Sequence, residues 1–354
     1  HFTAPALAPA LFNIVLIAGT VLVAPRMGAE PSTQIYALAG AVLVGGLMQA
    51  LIQLPPLRGL RVSLWPSGDL RHPGVARVLL LMLPGVLGIA VQELNAFVDT
   101  FLGSLLKQGS VSALEYGQRL MQLPLGVFGV ALGTAVLPTL SRQVSRGERS
   151  QAEDTTAFAI RLALLVLLPA SLWLILLAKP ILALLFQRGA FGRGDSLAMT
   201  ASALQFYACG LVAYGAAKSL VPLFYAHKDT RTPVKAAIAA LSCNIVLNVV
   251  LMQFLALGGL ALATALSSVL NVGLLYRWSR RNLGLDPFRG LRRCLVRVGP
   301  AAAGSGLVAW VSSWFLVAHA APGLGGRALA AVVPLALAAA TYILVLRTLH
   351  SEEL

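Results

Sequence analysis

Apolar blocks near 20 residues long recur along this 354-residue chain, with only short polar breaks between them. As an α-helix, a block of that length rises about 30 Å at about 1.5 Å per residue, which matches the hydrocarbon thickness of a bilayer. No other feature restricts the fold as strongly. Composition agrees: 58% of residues are hydrophobic and 11% charged, and the mean hydropathy is +0.81. A soluble chain would be about a quarter charged. The chain therefore reads as an all-α polytopic membrane protein.

Ten spans are expected, at roughly 6–24, 34–54, 76–104, 114–138, 157–178, 197–224, 233–254, 257–277, 294–317 and 326–347. Proline and glycine interrupt several, as at Pro84 and Pro124. In a bilayer such breaks are tolerated where neighbouring helices or water satisfy the freed backbone groups. The stretch from Pro55 to Arg77, PPLRGLRVSLWPSGDLRHPGVAR, is the longest linker; it reads as an interfacial segment or as a plain cytoplasmic loop.

Lys and Arg distribute unevenly between the two sides of this ten-span reading. One side has Arg58, Arg61, Arg71, Arg77, Arg142, Arg146, Arg149, Arg161, Lys228, Arg231, Lys235, the seven arginines from Arg277 to Arg297, and Arg347. The other has Arg26, Lys107, Lys179, Arg188, Arg193 and Arg327. The excess marks the first side as cytoplasmic, which puts both chain ends there. The net charge of +14 is thereby explained as topology plus attraction to anionic membrane lipid. No basic domain remains for nucleic acid, and none is expected as a partner. Cys209, Cys243 and Cys294 are scattered, without metal-ligand spacing. Motifs for soluble enzyme chemistry, such as a Walker loop, HExxH or CxxC, are absent. The chain starts at His1 without an initiator Met, so a fragment is expected.

Helical spacing sorts the intramembrane polar residues into stripes. Gln92, Asn95 and Asp99 share one face of the third span; Glu115, Gln118, Arg119 and Gln122 share one face of the fourth. Asn244 and Asn248 are four apart on the seventh, and Thr264, Ser268 and Asn271 align on the eighth. A charge at mid-bilayer costs roughly 2.5–3.5 kcal/mol even on the gentlest scale, so these faces are expected to turn towards a wet interior. Structural alternatives stay open: interhelical hydrogen bonds for Ser268 and Asn271, pairing of Arg119 with Glu115 or Asp99, and snorkelling for Lys218.

The segment from Gln92 to Arg146, which contains LEYGQRLMQLPLGVFGVALGTAVLP, closely resembles the lipid II flippase family (MurJ, formerly MviN). The stretch FYAHKDTRTPVKAA, from Phe224 to Ala237, resembles a second mark of that family. The resemblance implies a fold of fourteen helices in the multidrug/oligosaccharidyl-lipid/polysaccharide exporter superfamily, with two six-helix lobes around a central cavity. On it, residues 1–54 would be the last two helices of the first lobe, 55–75 a cytoplasmic interfacial linker and 76–280 the complete second lobe. Residues 281–354 would be two additional helices forming a lipid-tail groove. Four helices, with several cavity arginines, would precede this chain, which is not expected to flip substrate alone.

The same resemblance implies a flippase of the bacterial cytoplasmic membrane, not an enzyme, expected as a monomer. It would move lipid II, the undecaprenyl-diphosphate-linked precursor, to the periplasmic leaflet by alternating access. Arg119 matches the second-lobe cavity arginine, with Glu115, Gln122 and Lys218 as further substrate-binding candidates. Family members with a sodium site match here at Asp99, Asn244, Asn248, Thr264 and the backbone carbonyl of Leu260. Asn248 departs from the pattern, which carries an acid there, so sodium, a proton and no ion all stay open. Rival readings are a flippase for another polyprenyl-linked glycan, a drug:cation antiporter, an enzyme acting on polyprenyl diphosphate, and a non-transporting scaffold for wall synthesis.

Overall fold

The computed structural model describes residues 3–28, 30–55, 73–192, 194–319 and 323–349. Nearly all of the linker between residues 55 and 75 lies outside the described residues. The chain divides into two compact units, His1–Val75 and Ala76–Leu354.

The first unit contains α1 (Thr3–Ala18), which continues through a π turn at Gly19–Val23 into α2 (Ala24–Met27), and then α3 (Pro31–Leu51). The α1 and α3 helices pack closely because small residues meet between them. A Cβ placed on Gly19 would lie 2.4 Å from the Cβ of Ala41.

The second unit begins with two long helices, α4 (Pro73–Ser104) and α5 (Ser110–Ser145), of 32 and 36 residues. Next come α6 (Arg149–Leu176), the short α7 (Ala178–Phe186), α8 (Ser196–Cys209) and α9 (Leu211–Ala226). The unit ends with α10 (Arg231–Leu255), α11 (Leu257–Trp278), α12 (Leu291–His319) and α13 (Leu324–Thr348). Among the described residues seven helices are long and apolar enough to cross a membrane, or eight when α8 and α9, bent by 45°, count as one span. Each of the ten expected spans coincides with helix, and α12 and α13 belong to the same compact unit as the helices before them.

Breaks in these helices are repaired by side chains of neighbours. Pro169 inside α6 has no N–H to offer the carbonyl of Leu165, four residues back. The hydroxyl of Tyr342 on α13 donates to that carbonyl instead, at 2.6 Å. At the bend between α8 and α9, the hydroxyl of Ser171 donates to Ala208 O at 2.6 Å. The amide of Gln205 likewise serves Ile175 O near the end of α6, at 2.9 Å. These bonds follow from the lack of water in hydrocarbon, where an open carbonyl costs several kcal/mol.

Two polar turns set helix ends. Lys107, just before α5, pairs with Asp195 just before α8 at 2.5 Å, and the hydrogen bond from this ammonium, with its charge, holds the Asp195 carboxyl below its ordinary range. Before α10, Asp229 accepts from the backbone N–H groups of Arg231 and Thr232 and from the Thr232 hydroxyl. Partial burial pushes its carboxyl up, but these bonds outweigh burial and hold it below the usual range. The FYAHKDTRTPVKAA segment is thus a helix end closed by its own aspartate.

α10 and α11 reverse direction through the single residue Ala256, at φ 47°. Only a glycine fits next to that reversal: a Cβ on Gly259 would lie 2.3 Å from Leu251 O and 2.4 Å from Leu251 C, both backbone atoms. Gly259→Ala is therefore expected to push α11 off α10 and to cost about 1–3 kcal/mol, the range of an overpacked core. A thermal unfolding midpoint in detergent unchanged from the parent chain would contradict this.

Candidate functional site

Two polar constellations occupy the second unit, and both follow from how α4 and α5 are turned. Gly117 is buried where α5 crosses α8; a Cβ there would lie 3.1 Å from Leu204 N and 3.2 Å from the Cβ of Ala203. Leu114, Leu120, Met121 and Leu125 bury with it. Near the start of the helix, Tyr116 packs its ring against Phe186 and Phe191, with centroids 4.8 and 5.7 Å away. Glu115 and Arg119 each stand two residues from Gly117, about 200° around the helix at 100° per residue. Fixing the glycine inwards thus turns both outwards.

Arg119 Nη2 meets Glu115 Oε1 at 2.7 Å, and the two side chains are 73% and 54% exposed. Glutamate four residues before the cation is the favourable order on a helix. The pair is open: a guanidinium has five donors, and one carboxylate leaves several unused. Gln122 is exposed one turn further on. Lys218, on α9, is also exposed and makes no hydrogen bond or ion pair among the described residues. No contact joins it to Glu115 or Arg119.

The second constellation lies between α4, α10 and α11. Asn248 Nδ2 donates to Asp99 Oδ1 at 2.7 Å and to Asn244 Oδ1 at 2.8 Å. Asn244 Nδ2 donates to Thr264 Oγ1 at 3.1 Å. The Thr264 hydroxyl lies 3.0 Å from Leu260 O and 3.2 Å from Asp99 Oδ2, with one proton for the two. Asn95 Nδ2 reaches Asp99 Oδ2 at 3.5 Å. Asn244 and Asn248 are 0% exposed. The sequence thus brings together Asp99, Asn244, Asn248, Leu260 and Thr264, from three helices, in one network.

One atom in it is left over. Asn248 Oδ1 is buried without a hydrogen-bond partner. The Asn248 amide nitrogen stands between two oxygens, Asp99 Oδ1 and Asn244 Oδ1. Turning this amide over would aim a third oxygen at the same point, and a hard cation or a proton would then be needed to reconcile them. The donor set, with one carboxylate among amide, hydroxyl and carbonyl oxygens, suits such an ion.

The structure decides one reading that the sequence left open. Ser268 does not bond to a neighbouring helix; its hydroxyl returns to Ala265 O at 2.6 Å, and Ser267 does the same to Thr264 O at 3.0 Å. Asn271 Oδ1 is buried without a hydrogen-bond partner. Conversely, sequence reasoning missed Tyr214, whose hydroxyl donates to Thr264 O at 3.2 Å behind the network. The available signal was a tyrosine inside an apolar span, since a buried phenol nearly always needs a partner.

Comparison with known proteins identifies the family. A family model described as "Lipid II flippase MurJ" matches residues 1–321. A protein of Burkholderia cenocepacia named lipid II flippase MurJ is 38% identical over 314 residues, covering 87% of this chain and 60% of that protein. A probable lipid II flippase MurJ of Vibrio cholerae is 37% identical over 276 residues, covering 78% of this chain and 52% of that protein. The chain thus spans between half and two thirds of these relatives. A solved structure titled as lipid II flippase MurJ in an inward closed conformation aligns with a TM-score of 0.78 at 22% identity, covering 98% of this chain and 67% of the other. At that identity the likeness is one of fold: a multi-pass helical membrane protein.

Thr264 is the centre of the buried network, accepting from Asn244 and donating towards Asp99. Thr264→Val keeps the shape but leaves Asn244 Nδ2 without its acceptor, so a loss of about 1–3 kcal/mol is expected. Thr264→Ser should retain most of the stability. Equal unfolding midpoints for the valine and serine variants would show that the hydroxyl contributes nothing.

Proposed function

The chain belongs to the lipid II flippase MurJ family, and from that premise we propose that it forms the second-lobe machinery of a flippase. That machinery would carry lipid II from the cytoplasmic to the periplasmic leaflet of the bacterial inner membrane. The observation that carries this reading is the open, exposed Glu115–Arg119 pair on the polar face of α5.

Lipid II has a diphosphate between its polyprenyl tail and its sugar-peptide head. The Arg119 guanidinium cannot give up its proton, and its planar fork matches phosphate oxygens two at a time. Glu115 holds it through an exposed pair, a type of contact worth about 0–1 kcal/mol. Exchanging this carboxylate for a diphosphate therefore costs little, and the carboxylate is at hand to receive the guanidinium again when the lipid leaves. Gln122, on the same face, supplies a further amide donor, and Lys218 a second cation.

The proposed cycle is alternating access, with both ends of this chain in the cytoplasm, as the arginine-rich loops imply. The head group enters while the tail stays in lipid, and reopening on the far side delivers it. Membrane potential acting on the cavity charges, at about 2.3 kcal/mol per charge per 100 mV, is of the right size to bias the step. A coupling sodium ion would be held by Asp99, Asn244, Thr264, the Leu260 carbonyl and the turned amide of Asn248. Its chemistry would be to neutralise the charge of one partly buried carboxylate.

Two measurements test this. In the complete protein, Arg119→Ala should lose at least about tenfold in delivery of labelled lipid II to the outer leaflet, with Arg119→Lys intermediate, because one ammonium cannot replace a two-pronged contact. Full delivery by the alanine variant at normal abundance would remove Arg119 from the role. For the ion, Asn248→Asp adds the missing charge. It should raise the sodium-dependent shift in unfolding midpoint, measured against choline chloride, and a further Asp99→Asn should cancel the gain. A sodium response indifferent to both changes would place the ion elsewhere.

A further inference from the structure

α10 begins and α11 ends at the same end of their antiparallel pair, and there a cavity of about 220 Å³ opens that the transport reading does not use. It is lined by Thr232, Lys235, Trp278, Arg281 and Asn282. The lining follows from helical spacing. Thr232 and Lys235 are three apart on the first turn of α10, while Trp278, Arg281 and Asn282 stand at i, i+3 and i+4 where α11 ends. Beyond Trp278 the backbone widens into a π turn, Ser279–Leu283, which closes at Gly284 in the left-handed region, φ 66°. Single π turns of this kind gather at functional sites.

We propose that this cavity binds the phosphate of an anionic phospholipid headgroup. Two cations and one amide face it, and none of its lining residues is a carboxylate. Asp229, whose carboxylate feels the Lys235 charge without an ion pair within 4.0 Å, is already engaged by the Thr232 hydroxyl and by the first amides of α10. Lys235 and Arg281 are exposed, and neither makes an ion pair within 4.0 Å among the described residues. Trp278 is the residue type that settles at headgroup depth. The cavity also lies at the end carrying Arg277, Arg280 and the arginines that follow, where phosphates of the leaflet come closest. Basic pockets between membrane helices on the arginine-rich side take phosphorylated headgroups by this chemistry. Arg280 is different from Arg281: it turns to the Tyr276 ring, 6.0 Å from its centroid, and does not line the cavity.

The test is titration calorimetry on the purified chain in neutral detergent. Dihexanoyl phosphatidylglycerol, dihexanoyl phosphatidylcholine and inorganic phosphate serve as probes. Lys235→Gln and Arg281→Gln should each weaken phosphatidylglycerol roughly fivefold and together on the order of twenty-five-fold, about 1 kcal/mol per cation. Arg280→Gln, which removes the same charge outside the cavity, should stay within about twofold of the parent. If inorganic phosphate binds as tightly and follows the same variant pattern, the phosphate chemistry stands and the source is free phosphate. If phosphatidylcholine binds as tightly as phosphatidylglycerol, if Arg280→Gln weakens binding as much as Arg281→Gln, or if the double variant binds like the parent, the proposal is overturned. Because these side chains are exposed, the variants should fold; unchanged unfolding midpoints establish that independently of lipid II.

Discussion

Without water to hold them, backbone carbonyls inside a bilayer need partners from the protein, and that requirement shapes the second unit. Pro169 opens the carbonyl of Leu165, and Tyr342 closes it from a helix 177 residues further along. The bend at Gly210 leaves Ala208 O to Ser171. Each repair ties two helices at a defined height and rotation. Apolar packing cannot do this alone, since lipid tails satisfy a leucine as well as a neighbouring helix does. The rotation of α5 has a similar origin, with backbone approach at Gly117 deciding which of its residues turn away from the core.

The Asp99 network inherits its precision from these contacts. Asn244 and Asn248 come from one helix, Leu260 and Thr264 from its antiparallel partner, and the two helices are held at close range by Gly259. A single added methyl group there would change every distance in the network. Asn248 then decides how the network is satisfied. Its amide supplies two protons to two oxygens, the work a cation would otherwise do, and the remaining oxygen is left without a partner. An acid at this position would supply no protons and would demand an ion.

Much of this was legible in the sequence. The apolar blocks gave helices where helices are found, and helical spacing, a local property, set Asp99 on one face with Asn95 and paired Asn244 with Asn248; that these residues and Thr264 form one set across three helices was implied only by the family resemblance. Local spacing also placed Arg119 beside Glu115. What the sequence hid is long-range. Tyr342 meets Leu165 through a break visible only once the helices are side by side, and Tyr214 stands behind Thr264 for the same reason. The partner of Ser268 was not legible because a hydroxyl in a membrane helix chooses between its own carbonyl ladder and a neighbour, and the presence of a suitable neighbour is a tertiary fact. The five residues around the cavity at Trp278 belong to segments some 40 residues apart, so no spacing rule joins them.

The two constellations solve the cost of polar groups in oil in opposite ways. The Asp99 network is buried and nearly closed, so any change in its proton or ion content must be answered by rotation of an amide or movement of a helix. The Arg119 pair is open and weak, so it can change partners without disturbing the helix that bears it. The Asn248 Oδ1, buried without a partner, is the one acceptor in the network left unsatisfied, and an unmet buried acceptor costs about 1–3 kcal/mol. Helices α10 and α11, which carry this network, also carry the basic cavity at their far end.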